Sequence, residues 1–369
     1  MPSGTPYRVA IVGAGAIAGA HLSAVEAVGD RAQVVAVADL DAERATAFAA
    51  EHGIAQAFGD LATLLAEARP DLVSICTPPG AHREAVAAVL ASGAWVWCEK
   101  PPALSLAEYD AMAAAEGENG PYVGYVFQHR FGSAASTLRR QVAEGTLGRP
   151  HVAVCHTLWY RDHDYYAVPW RGRWETEGGG PAMGHGIHQM DLMLSLLGDW
   201  HEIRALMGTL DRDVSTEDVS VAAVSFSSGA LASVVNSVLS PRQESYLRFD
   251  FTDATVEVSH LYGYDNSHWT WTPREGVEAD GWAPETDEAS SHAAQLSAYL
   301  DAMDAGVRPP ASGHDGRRSL ELVTGLYQSA ITGRPVLRTD LTEDNPFYTQ
   351  LDGGGQYKPV RPGRPEELS

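Results

Sequence analysis

The sequence predicts a doubly wound α/β domain followed by an α+β domain built on a large, open, mainly antiparallel sheet. Over the first 125 residues, short and almost wholly apolar runs alternate with alanine-rich stretches of helical period. Strands that are apolar on both faces belong to a parallel sheet covered by helices on each side. After Tyr125 the rhythm changes, and strand-like segments follow one another through short turns such as Ser227-Ser228-Gly229. That is the habit of antiparallel neighbours.

Taken in order, strands are expected at 7–12, 33–39, 72–76, 95–99 and 122–125, with helices near 17–28, 41–52, 61–68, 83–92 and 105–118. A helix near 134–144 then leads to a strand at 151–158, a loop rich in aromatics and glycine, and a strong helix at 186–197. Strands at 203–210, 219–226, 230–237, 246–251 and 255–259 come next. Residues 275–291 are acidic and turn-rich, as an exposed loop would be, and helices at 291–305 and 316–332 close the domain. The domains are accordingly drawn at 1–125 and 126–350, with 351–369 and the first residues loosely ordered.

The bulk properties agree with two globular domains. The 369 residues exceed one ordinary core, and 44% hydrophobic with 20% charged residues is a globular composition. The net charge of −22 argues against nucleic acid or anionic membrane as a partner, since both need a basic field. Cys76, Cys98 and Cys155 are widely spaced, which shows no CxxC metal site or disulfide framework. With no signal-peptide pattern at the N-terminus, a cytoplasmic protein is expected.

The strongest local signal is Val9-Ala10-Ile11-Val12-Gly13-Ala14-Gly15-Ala16-Ile17-Ala18. Gly13 permits a tight strand-to-helix turn, and Gly15 lets a pyrophosphate approach the backbone. The helix opening at Ala16 and Ile17 then aims free N–H groups at the phosphates. This is the Rossmann fingerprint in its required context, with Ala18 at the third position. Asp39, at the end of the next strand, suits the ribose hydroxyls of NAD and repels the 2′-phosphate of NADP, so NAD is expected over NADP. Arg44 softens that repulsion. Two further segments lie at the carboxyl ends of strands, where ligands of open α/β sheets bind. One is Cys76-Thr77-Pro78-Pro79-Gly80-Ala81-His82 and the other Cys98-Glu99-Lys100-Pro101-Pro102. Thr77, Pro78, His82, Glu99 and Lys100 are the cofactor-facing candidates there.

The fingerprint, the TPPGAH turn, the CEKPP segment, the stretch from Gly178-Gly179-Gly180 through Gly186-Ile187-His188 to Asp191, and Ser312 to Glu321 together resemble the glucose–fructose oxidoreductase and inositol dehydrogenase (Gfo/Idh/MocA) family. The resemblance spans about residues 7–340. It implies hydride transfer between nicotinamide and a sugar or cyclitol carbon, with Lys100 and His188 as the acid/base pair. It also implies a substrate on the antiparallel sheet of the second domain and a homo-dimer or homo-tetramer. The chemistry suits these residues: an ammonium stabilises a developing alkoxide, and an imidazole titrating near neutrality exchanges the proton. One departure stands out. The family pattern often has an aspartate four residues before the histidine, and here that position is Gly184, followed by His185. Either His185 or Asp191 replaces the missing group, or the pair works differently, or this member has drifted from dehydrogenase chemistry.

Between His156 and Glu175 the chain is crowded with aromatic and basic residues, of which Tyr160, Trp170 and Arg171 are substrate candidates, with Gln128 lining the cleft from elsewhere. The several histidines lack HExxH or paired-carboxylate spacing, so no metal is expected. Two other readings remain open at this level: transient oxidation by tightly held NAD in a glycosidase- or epimerase-type reaction, and a non-catalytic NAD or sugar sensor.

Overall fold

A computed structural model describes residues 5–358. By its internal contacts the chain divides into two compact units. The first runs through Ala103 and adds Glu108–Phe131 and Ser290–Arg317; the second is made of Leu104–Ala107, Gly132–Ala289 and the chain from Arg318 on.

In the first unit the elements are β1 (Tyr7–Val12), α1 (Ala18–Ala27), β2 (Ala32–Ala38), α2 (Ala42–His52), β3 (Gln56–Phe58), α3 (Leu61–Ala68), β4 (Leu72–Ile75), α4 (His82–Ala91), β5 (Trp95–Cys98), α5 (Leu106–Ala114) and β6 (Val123–Tyr125). The six strands form one sheet in the order β3-β2-β1-β4-β5-β6, with every pairing parallel. That is the Rossmann order, and its switch point lies between β1 and β4. Helix starts follow from local chemistry: the side chains of Asp41 and Asp60 accept the N–H of Arg44 and Thr63, capping α2 and α3. Strand β3 escapes the sequence reading because three residues show no alternation, yet it pairs with Ala36–Ala38.

The second unit contains α6 (Ser133–Glu144), β7 (Pro150–Tyr160), α7 (Trp174–Glu177), α8 (Ile187–Leu197), β8 (Trp200–Gly208), β9 (Val219–Phe226), β10 (Leu231–Ser237), β11 (Leu239–Phe251), β12 (Ala254–Ser259) and β13 (Trp269–Pro273). The remaining elements are α9 (His292–Ala305), α10 (Gly313–Thr332), β14 (Val336–Leu337) and α11 (Pro346–Thr349). Eight strands form a sheet in the order β13-β12-β11-β7-β10-β9-β8-β14, antiparallel except where β7 and β10 run together. A π-helical turn, Ala182–Gly186, precedes α8.

Two expectations are corrected and a third is refined. Helix α9, assigned to the second domain from sequence, belongs to the first unit: Leu296, Tyr299, Leu300 and Met303 share one core with Val9, Leu72 and Trp97. Its apolar residues were legible, but the surface they cover was not. The acidic stretch 275–291 has no helix or strand yet is not simply exposed. Trp282 is buried, its carbonyl accepts from Gln141 Nε2, and the Glu288 carbonyl accepts the Ser133 N–H. The chain after residue 350 is bound back as far as it is described, with Leu351 buried and the Tyr357 hydroxyl 2.8 Å from Thr209 Oγ1. The rest of the expected loose ends, residues 1–4 and 359–369, lies outside the described residues.

Candidate active site

In the first unit the glycine turn has the geometry a dinucleotide needs. Gly13 has φ +94°, and a Cβ there would stand 2.9 Å from the Cys76 backbone, so only glycine fits the crossing of β1 and β4. Gly15 faces open space, with nothing within 4 Å of a Cβ. The first turn of α1 beyond Ala16 and Ile17 carries no side-chain cap and no acidic residue, leaving the positive end of the helix to a phosphate. Asp39 directly follows β2. Its Oδ2 accepts the Ala14 N–H at 2.8 Å and its Oδ1 the Asp41 N–H at 2.9 Å, while Arg44 Nη1 lies 3.3 Å away. The carboxylate thus shapes the glycine turn.

Thr77 follows β4, and its Oγ1 is buried without a hydrogen-bond partner, a polar atom awaiting a ligand. Pro78 beside it is exposed. His82 departs from expectation. It is wholly buried, with Nε2 2.9 Å from the Thr77 carbonyl and Nδ1 3.1 Å from that of Pro101. Burial pushes its pKa down, against the pull of those carbonyls. His82 therefore buckles two loops together rather than offering a ring nitrogen to the cofactor.

Glu99 and Lys100 follow β5. Glu99 is buried, and its Oε2 accepts the Lys100 N–H at 3.1 Å. Its Oε1 lies 2.9 Å from His21 Nε2 and 3.5 Å from His292 Nε2. Burial alone would raise its pKa, but the two imidazoles outweigh burial and hold the carboxyl well below the usual range. The ligand atoms of His21, Glu99 and His292 lie within 4.8 Å of one another, a grouping of metal-ligand type that sequence spacing did not reveal. The 2.9 Å contact within it has the length of a hydrogen bond. Gln128 is buried in the turn after β6, and His129 beside it is pushed down to about 3 by burial, with the charges of His292 and Lys100 adding to the effect.

In the second unit, the π-helical turn and α8 each carry a buried histidine. His185 and His188 are 7% and 2% exposed. Trp159 stands edge-on to His185 with ring centres 5.1 Å apart, and Tyr262 stands edge-on to His188 at 5.7 Å. Gln189 fastens α8 to the sheet, its Oε1 accepting from Thr157 and its Nε2 donating to the Tyr264 hydroxyl. Asp191 is buried and accepts the Ser319 hydroxyl at 2.7 Å. Arg171 lies over the Trp170 ring and is ion-paired with Glu177. Tyr160 does not join this group. Strand parity turns Trp159 toward α8 and Tyr160 to the opposite face, where it is 42% exposed under the Arg212 guanidinium. Trp159 stood among the aromatics of the 156–175 stretch read from the sequence; Tyr262, Glu177 and Glu217 were missed, and none of them carries a motif.

Strand order, glycine turn and acidic residue after β2 define an NAD-binding Rossmann protein, for which the open Gly15 backbone and the unpartnered Thr77 hydroxyl provide the fit. Residues 7–127 match the oxidoreductase family with NAD-binding Rossmann fold, and residues 135–259 match the GFO/IDH/MocA C-terminal domain. The chain belongs to the Gfo/Idh/MocA family of oxidoreductases. It is 28% identical to D-glucoside 3-dehydrogenase of Escherichia coli (strain K12), over 90% of this chain and 97% of that one. It is 27% identical to D-apiose dehydrogenase of Paraburkholderia graminis, over 94% of each. Among solved structures it resembles the WlbA dehydrogenase from Bordetella pertussis, determined with NADH and UDP-GlcNAcA. There the TM-score is 0.81 at 27% identity, covering 90% of this chain and 98% of that one. No helix among the described residues is long and apolar enough to cross a membrane.

Proposed function

We propose that the chain transfers hydride between NAD and a secondary alcohol or ketone carbon of a sugar or cyclitol, with Lys100 and His188 as its acid/base pair. The observation that supports this most is the setting of Lys100. It directly follows β5 at the carboxyl edge of the parallel sheet, its N–H tied to the ionised Glu99 and two prolines behind it. An ammonium held there donates to the reacting oxygen and stabilises alkoxide character as the C–H bond breaks. His188 takes the hydroxyl proton in oxidation and returns it in reduction. Bound NAD supplies the hydride acceptor, and NADH the donor. Tyr262, 42% exposed beside His188, supplies aromatic surface for the C–H faces of a ring. The named activities of the glucoside and apiose dehydrogenases support a sugar as substrate. The same reading takes the protein to be a homo-dimer or homo-tetramer.

The test is a screen of the purified protein with NAD or NADP against cyclitols, aldoses, uronates and anhydro-sugars, following NADH absorbance. Turnover on one polyol class is expected, with Lys100→Met lowering kcat/KM by about 10²–10⁴-fold while NAD still binds. Turnover undiminished in that variant would remove Lys100 from the chemistry. A second readout exploits composition: Lys100 and Lys358 are the only lysines of the chain. After reductive methylation with ¹³C-formaldehyde, NAD should move the Lys100 signal and leave that of Lys358 in place.

A further inference from the structure

One buried carboxylate of the second unit has no part in the chemistry above. Glu177 ends α7 and is 5% exposed. Its Oε2 accepts the Gly172 N–H at 2.6 Å, and its Oε1 lies 3.4 Å from Arg171 Nη1. That same Nη1 donates to the Tyr165 hydroxyl, which in turn lies 3.3 Å from His185 Nε2. The guanidinium is held flat in this arrangement, its Cζ 3.9 Å from the Tyr165 ring centre and 4.3 Å from that of Trp170.

Donor capacity gives this chain of contacts a direction. A guanidinium has donors only, so the Tyr165 oxygen accepts from Arg171. Burial pushes the Tyr165 pKa up, against the neighbouring arginine, and the hydroxyl keeps its proton. That proton is then directed at His185 Nε2, which becomes the acceptor and leaves the ring proton on Nδ1. Remove the carboxylate and the half-buried guanidinium loses its charge partner, and with it the reason to hold Tyr165 in place. His185 in turn packs edge-on against Trp159, Trp159 against Tyr262 at 5.9 Å, and Tyr262 against His188. Gly184 sits beside the same carboxylate: a Cβ there would meet a single atom within 4 Å, Glu177 Oε1, at 3.5 Å.

We propose that Glu177 is a positioning residue that fixes the tautomer of His185 through Arg171 and Tyr165, acting from the space a side chain on residue 184 would enter. The effect on turnover rests on the acid/base reading of Lys100 and His188; the effect on the tautomer does not. Gly184 makes the proposal testable by transplanting the charge. A carboxylate placed there alone crowds a second negative charge against Glu177, whereas placed there in the absence of Glu177 it restores one near Arg171.

The experiment combines ¹⁵N NMR of the histidine rings with steady-state kinetics. The His185 signals are assigned by their loss in His185→Gln. In the wild-type protein the His185 ring should show Nδ1 protonated. Glu177→Gln, and independently Tyr165→Phe with Glu177 intact, should each abolish that preference and lower kcat by about 10–100-fold. Glu177→Ala should behave likewise, and Glu177→Ala with Gly184→Asp should recover both the tautomer and most of kcat, while Gly184→Asp alone is impaired. The proposal is overturned if His185 keeps its tautomer in Glu177→Gln and Tyr165→Phe, or if the double variant is no better than Glu177→Ala. Near-ultraviolet circular dichroism verifies folding, and should Glu177→Ala not fold, the Glu177→Gln and Tyr165→Phe spectra decide. If no sugar is turned over by the wild-type protein, the reaction reading fails while the NMR result still judges the positioning role.

Discussion

His21 Nε2 lies 2.9 Å from Glu99 Oε1, and both side chains are buried beside the Lys100 backbone. Nδ1 of His21 has no partner, so the ring proton belongs on Nε2 and the contact is a donation to the carboxylate.

Replacing that carboxylate by an amide keeps the shape and loses the charge. Glu99→Gln leaves one oxygen for His21 and turns an NH₂ toward the Lys100 N–H, donor against donor. The lost charge-assisted bonds are worth about 1.5–3 kcal/mol each. The pH dependence has a definite sign. The folded pKa of Glu99 lies well below its ordinary value, so its contribution is present above about pH 4.5 and is lost as pH falls through the folded value. Acid unfolding followed by circular dichroism should therefore show a shallower limb in Glu99→Gln than in the wild type. Identical limbs would mean that Glu99 is not ionised in the fold.

What was legible in the sequence was local. The glycine turn, Asp39 and the Glu99-Lys100 pair announce themselves because strand and turn fall within a few residues. The parallel strands do so because burial on both faces leaves them uniformly apolar. Partners far apart in the chain were not legible: His21 and His292 reach Glu99 from 78 and 193 positions away. Glu177 and Glu217 carry no motif, and only the folding of the loop before α8 shows what they hold. Tyr160 was misjudged for a different reason. Its composition suited a pocket, but one residue of register decides which face of β7 it meets.

Asp39 holds the glycine turn through the Ala14 N–H, and the proposed NAD site gives the same carboxylate a second role in cofactor choice. Asp39→Ser should weaken NAD binding by about 10-fold or more, the value of one charge-assisted hydrogen bond. It should also release Arg44 from its 3.3 Å contact and free it for a 2′-phosphate. Calorimetric titration with NAD and NADP should show the ratio of their dissociation constants moving toward NADP. An unchanged ratio would assign Asp39 to the glycine turn alone, through its bond to Ala14.

The face of the large sheet that carries Tyr160's neighbours is apolar across strands. Val152 pairs with Leu231, and Val221 lies between Val235 and Leu206, with Leu206 75% and Leu231 60% exposed. Adjacent aliphatic side chains in water suit the homo-oligomer proposed above. Light scattering should give a mass of at least two chains for the wild type, reduced toward one by Leu206→Glu with Leu231→Glu. A monomeric wild type would defeat this reading.

Glu217 supplies the opposite sign of pH dependence. It is fully buried and accepts from the Gly180 N–H at 2.9 Å, the Ala182 N–H at 3.1 Å and the Tyr327 hydroxyl at 2.9 Å. Burial pushes its pKa up to about 7, those three donors pulling the other way. A carboxyl raised in this way favours the fold while it is protonated. Its contribution is whole below about pH 4.5 and is lost as pH rises through about 7. The loop it holds has no slack: a Cβ on Gly180 would stand 1.9 Å from the Glu217 carbonyl oxygen. Melting temperature should therefore fall between pH 5 and pH 8, and the fall should be smaller in Glu217→Gln, whose amide cannot ionise. Gln also turns a donor toward the Gly180 or Ala182 N–H, so the variant should be less stable than the wild type at pH 5, where Glu217 is largely protonated, and closer to it at pH 8. Parallel pH profiles for the two proteins would show that Glu217 does not titrate in this range, and that its three donors outweigh its burial.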